Sequence, residues 1–107
     1  MLDPTALSIE LEAALLRALQ AAWRDLNYAL FRGKLRAPQL RLGDATSRLG
    51  QWVRAEHAIE IGRAFACDAS WGEVLEVLKH EMAHQYVSEV LGDPDGTAHG
   101  EAFAALC

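Results

Sequence analysis

The 107-residue chain carries a formal net charge of −5, and 51% of its residues are apolar while 23% are charged. That length suits one domain with a single modest core, and the acidic balance disfavours a nucleic-acid-binding surface, which needs clustered Lys and Arg. No apolar run reaches the roughly eighteen residues of a membrane-spanning helix, and the start, Met1-Leu-Asp-Pro4, lacks the basic and apolar stretches of a signal peptide, so a cytoplasmic location without a membrane partner is expected.

The first predicted element is a helix from about Thr5 to Arg32, because Leu11, Leu15, Leu19, Trp23, Leu26 and Leu30 recur at three- and four-residue steps. Gly33 supplies a stop, and Pro38 forbids continuation. The period then shortens to two. Gln39-Leu-Arg-Leu42, Gln51-Trp-Val-Arg54 and His57-Ala-Ile-Glu-Ile61 alternate as strands do, with a turn around Ser47 to Gly50. Three strands at such spacing predict a small antiparallel or mixed sheet, with His57, Ile59 and Ile61 on one face of the third strand. Arg32, Lys34, Arg36, Arg41 and Arg48 fall in this stretch and read as a solvated face.

Ser70-Trp-Gly-Glu73 is a capping box that opens a second long helix, and Gly92 ends it after Leu91. Asp93-Pro-Asp-Gly96 has strong turn chemistry, and a short final helix is predicted over residues 100–106. The fold class is therefore α+β: one domain over residues 1–107, with an N-terminal helix, a three-stranded sheet, a second helix and a short C-terminal helix. Cys67 and Cys107 are too few for a disulfide framework and form no CxxC pair. Cys67 follows Phe65 and Ala66 and reads as a small buried residue. Cys107 closes the apolar Phe103-Ala-Ala-Leu-Cys107 as the end of a truncated piece would.

The chemistry lies in the second helix. His80-Glu-Met-Ala-His84 is an HExxH motif, and residues four apart share a helix face, so both imidazoles can reach one ion. Glu81 lies about 100° around from His80, where it can approach the open side of the metal as a general base without ligating. Chance alone produces two His and a Glu at these places in on the order of one in several hundred chains of this length. The apolar Val74, Leu75, Leu78, Met82 and Val90 mark the helix as largely buried, where ionisable groups need a partner.

Catalytic zinc takes three protein ligands and keeps an open position. His99, across the loop, is the candidate third ligand. Glu101 is its rival, and two residues apart on a helix they would point in different directions, so one of them binds. His57 reads as a packed core or edge histidine beside Ile59 and Ile61. Tyr86, roughly 200° around the helix from His84, reads as packing rather than as an oxyanion stabiliser.

Three segments together resemble the SprT-like zinc metallopeptidase domain, the family that includes the Spartan proteases acting on DNA–protein crosslinks. They are Asn27-Tyr-Ala-Leu-Phe-Arg-Gly-Lys-Leu35, Val77-Leu-Lys-His-Glu-Met-Ala-His84 and His99-Gly-Glu-Ala-Phe103. The resemblance implies a zincin-like fold, zinc held by His80, His84 and His99, and an active-site cleft beside an edge strand. The activity it implies is hydrolysis of extended or unfolded protein chains, with a relation to crosslink proteolysis. No cysteine-rich zinc ribbon follows the matched segments in these 107 residues, and weak or no binding to duplex DNA is expected of them. The substrate is expected to pair along the strand from His57 to Ile61. The competing function is a non-catalytic or latent zinc-stabilised domain that binds protein.

Overall fold

The computed structural model describes residues 4–92. His99, Glu101, Cys107 and the predicted final helix lie outside them. The described part is an α+β arrangement of three helices and one three-stranded sheet. Helix α1 spans Pro4–Phe31 and buries Leu19, Trp23 and Phe31. It ends in a Schellman-type turn: Arg32 takes a left-handed φ of 55°, and the N–H of Gly33 returns to the carbonyl of Asn27 at 2.9 Å. The strap that follows is held by the Asn27 side chain. Its amide donates to the carbonyl of Leu35 and its oxygen accepts from the N–H of Leu35, both at 3.0 Å.

Strands β1 (Gln39–Gly43), β2 (Gly50–Val53) and β3 (Ala58–Gly62) form a mixed sheet of order β1-β3-β2. β3 runs parallel to β1 and antiparallel to β2, with Leu40, Ile59 and Trp52 in one cross-strand row. The sheet face carrying Leu40, Ile59 and Ile61 packs with Leu19 and Trp23 of α1 and with Val74, Leu78 and Met82 of α3 (Trp71–Glu89) in a single core. Each such side chain taken fully out of water stabilises the fold by about 1.5–3 kcal/mol. On the opposite face Arg41 bonds Glu60 at 2.9 Å, and at the strand margin it bonds Glu56 at 2.7 Å.

Three expectations need correction. The strand from His57 to Ile61 is not an edge. β3 sits in the centre of the sheet and is paired on both sides, because the parallel return from β1 and the antiparallel return from β2 both close on it. It has no free ladder for a substrate. His57 itself precedes the strand: it follows the 3-10 turn Arg54–Glu56 in a left-handed conformation (φ 49°). Cys67 is exposed rather than buried. It lies in a short helix, α2 (Arg63–Asp68), which turns Phe65 and Ala66 toward the core and Cys67 away from it. Six residues are too few for the hydrophobic period to reveal such a helix.

Candidate active site

α3 begins at Ser70 with the complete capping box: Ser70 Oγ accepts the N–H of Glu73 at 3.2 Å, and the Glu73 carboxylate accepts the Ser70 N–H at 3.2 Å. From this start the helical period turns Val74, Leu78 and Met82 into the core. His80, Glu81 and His84 then lie along the flank that meets β2 and the solvent. Both histidines are half-buried, and Glu81 is buried.

The imidazoles of His80 and His84 meet edge to face, with ring centroids 4.9 Å apart and the two Nε2 atoms 3.3 Å apart. A tetrahedral ion with metal–nitrogen bonds near 2.0–2.1 Å holds two nitrogens about 3.3–3.4 Å apart. The pair therefore fits zinc by separation as well as by donor type. Among the described residues no group of three metal-ligating side chains comes together. The two candidates for the third place, His99 and Glu101, lie outside those residues.

Glu81 is set by two elements. Its carboxylate accepts the backbone N–H of Trp52 on β2, and its stem lies against Gly50. The ladder explains why that N–H is available. Gly62 donates to Leu49 across the β2–β3 pair at 2.8 Å. By the two-residue alternation of antiparallel pairing, Gln51 and Val53 also bond inward to β3, and Gly50 and Trp52 present their backbone groups outward. A Cβ added at Gly50 would lie 2.8 Å from Val77 Cγ1 and 3.3 Å from Glu81 Cγ, so glycine lets β2 approach α3 this closely. Burial pushes the Glu81 carboxyl up from 4.5 to about 7, against the pull of the Trp52 N–H and the positive charge of Arg48. A carboxyl poised near neutrality is suited to accept and return a proton.

His80 and Glu81 open into a cleft of about 400 Å³ lined also by Leu49, Gly50, Glu76 and Val77. At the far end of α3 a polar tie fixes the helix. Gln85, fully buried, accepts from the Trp23 indole at 3.3 Å and donates to the Arg36 carbonyl at 2.8 Å. Glu89 accepts the Arg36 N–H at 2.7 Å and pairs with His57 Nε2 at 2.6 Å. His57 also meets the Trp52 ring edge-on at 5.3 Å, so it is a packed histidine paired with Glu89, in keeping with the packed reading of the sequence. Tyr86 packs on Phe31 with ring centroids 5.5 Å apart.

The sequence reading missed Gly50, Trp52, Gln85 and Glu89. Gly50 at a strand start was the one visible signal, since an isolated glycine there marks close backbone approach. No curated protein matches the chain. The family model of the SprT-like family matches residues 8–107. With that match spanning nearly its whole length, the chain belongs to the SprT-like family.

Proposed function

We propose that the chain is a zinc-dependent endopeptidase that cleaves extended or unfolded protein segments, with His80, His84 and His99 as the metal ligands and Glu81 as the general base. The observation that carries this reading is the 3.3 Å Nε2–Nε2 pair beside a buried carboxylate anchored on the Trp52 N–H. Family membership agrees with it. His80, His84 and His99 would hold the zinc ion, which would supply Lewis acidity toward the peptide carbonyl and would activate a water. Glu81 would take a proton from the attacking water and return it to the departing amine, with its carboxylate fixed by the backbone of β2.

The outward-facing edge of β2 replaces β3 as the substrate strand in this reading. Gly50 N–H, Gly50 C=O and Trp52 C=O are aimed away from β3, and an extended chain can complete them by strand addition. The bonds involve backbone alone, which suits a peptidase with loose sequence preference.

The test is metal content together with cleavage of a denatured protein, with and without a chelator. About one zinc per chain is expected, with cleavage lost on chelation. His84→Ala should lose most of the metal and, with it, stability. Undiminished zinc in His99→Ala would favour Glu101 as the third ligand. Zinc binding without any cleavage would favour the non-catalytic binding domain.

A further inference from the structure

Glycine weakens a strand, because the unfolded chain loses more freedom there and no side chain packs. A positive φ can require it, as at Gly33 and Gly92, but Gly50 is not such a place. Space is the reason at Gly50. It pairs with Ile61 and opens β2 on the face that meets α3. Carbon atoms in contact sit roughly 3.5–4.0 Å apart. A methyl at Gly50 would stand 2.8 Å from Val77 Cγ1, 3.3 Å from Glu81 Cγ and 3.2 Å from the backbone oxygen of Glu60.

None of the three has an easy retreat. A valine in a helix keeps to one χ1 rotamer. The Glu60 carbonyl belongs to β3, which is paired on both sides. Glu81 Cγ is the stem of the buried carboxylate. Gly43 differs, because a methyl there would meet the far end of the Glu60 side chain, which can rotate away. Val77 and Glu81 are one helical turn apart, and His80 lies within that turn. With β3 fixed behind β2, added bulk at position 50 presses on this turn and parts the Glu81 carboxylate from the Trp52 N–H. The outward backbone groups of β2 lie in the plane of the sheet, so a methyl on the α3 face leaves them uncovered.

We propose that Gly50 is a positioning residue: its missing side chain seats β2 against the Val77–Glu81 turn and so fixes Glu81 and His80 relative to the strand that receives the substrate. The proposal rests on the peptidase reading. The test compares Gly50→Ala with Gly50→Ala/Val77→Ala. Gly72→Ala serves as a control, since a methyl there meets nothing nearer than Ser70 Oγ at 3.9 Å. Zinc-loaded chains are assayed for kcat and KM on a denatured protein. Metal-free chains are followed by hydrogen exchange at the Trp52 amide, read against the Gln51 amide that bonds to β3. Misplacing catalytic groups by about 1 Å costs on the order of 100-fold, so the smaller shift in Gly50→Ala should lower kcat about ten-fold at equal zinc occupancy. KM should stay within about three-fold, because the loss falls on the reacting groups and not on the binding edge. Exchange at Trp52 should quicken relative to Gln51. The double variant should recover part of both losses, and Gly72→Ala should change neither. Unchanged kcat in Gly50→Ala, a loss confined to KM, or a double variant no better than the single overturns the role. If Gly50→Ala does not fold, the double variant is compared with Val77→Ala, and equal kcat and equal Trp52 exchange overturn it. A wild-type chain that cleaves nothing refutes the peptidase reading instead. Trp52 exchange then decides alone: quickening in Gly50→Ala with recovery in the double variant supports the seating of Glu81 by Gly50, and unchanged exchange overturns it.

Discussion

Two glutamates on one helix behave in opposite ways. Glu81 and Glu89 both lie on α3 and both lose water on folding, yet the carboxyl of Glu81 rises to about 7 while that of Glu89 falls below its ordinary value. At Glu81 desolvation dominates, opposed by one backbone N–H and the charge of Arg48. At Glu89 desolvation is again the largest influence, but the Arg36 N–H, His57 and Gln85 together outweigh it. Glu81 is the more deeply buried of the two and has fewer donors aimed at its carboxylate, and both differences push its carboxyl up relative to that of Glu89. Glu89 is held as an anion that ties α3 to the strap after α1 and to the entry of β3. Glu81, short of donors, keeps its affinity for a proton near neutral pH.

The largest expected contrast is in turnover. Glu81→Gln keeps the shape and removes the proposed base, so hydrolysis of a denatured substrate should fall by at least about 100-fold while zinc content and fold persist. Glu89→Gln should keep turnover within a few-fold, since Glu89 touches neither the histidine pair nor the cleft. Initial rates at equal zinc occupancy measure both. A collapse in Glu89→Gln at full zinc occupancy, or an active Glu81→Gln, would break the comparison.

A second contrast is in stability against pH, measured by denaturant unfolding of the metal-free chain. The carboxyl of Glu81 is raised on folding, so its contribution is fully present below about 4.5 and is lost as pH climbs through about 7. The interval corresponds to on the order of 3 kcal/mol at most. The carboxyl of Glu89 is depressed on folding, so its contribution is present above the ordinary carboxylate range and is lost as pH falls through and below that range. Glu81→Gln should therefore flatten the slope between about 4.5 and 7, and Glu89→Gln the slope on the acid side. If both variants flatten the same limb, the two carboxyls do not differ as described.

The same pair marks what was legible in the sequence. HExxH named His80, Glu81 and His84 because a motif of fixed spacing on a periodic helix needs no knowledge of the fold. The capping box placed the start of that helix at Ser70, and α1 and the three strands followed from their periods. Glu89 and Gln85 carried no such signal. Their roles depend on Arg36, Trp23 and His57, which lie 32 to 62 residues away and meet them only through tertiary packing. Strand order was hidden for a related reason. The alternation in His57 to Ile61 shows which side chains share a face, and it is the same for an edge and a central strand. Only the parallel return from β1 puts β3 in the middle and leaves β2 to face the site.

A third glutamate on α3 calibrates the other two, and here the smallest effect is expected. Glu73 also receives a backbone N–H, that of Ser70 at 3.2 Å, and its carboxylate accepts the Ser70 hydroxyl at 3.0 Å, but all of this lies in water. An amide oxygen can accept the same N–H, and capping boxes use Gln as well as Glu. Glu73→Gln should thus change unfolding free energy by less than about 0.5 kcal/mol, and Glu73→Ala by about 0.5–1 kcal/mol as the bond is lost. At Glu89 the glutamine would forfeit charge-assisted bonds in a half-buried place, and a cost of about 1–3 kcal/mol is expected. One substitution, Glu→Gln, then separates the three roles in a single denaturant series at neutral pH on metal-free protein. It should be nearly silent at Glu73 and destabilising at Glu89. At Glu81 it should be neutral or stabilising, because burying an amide avoids burying a charge. A loss at Glu73 as large as at Glu89 would mean that donor geometry alone, without withdrawal from water, sets the strength of these ties.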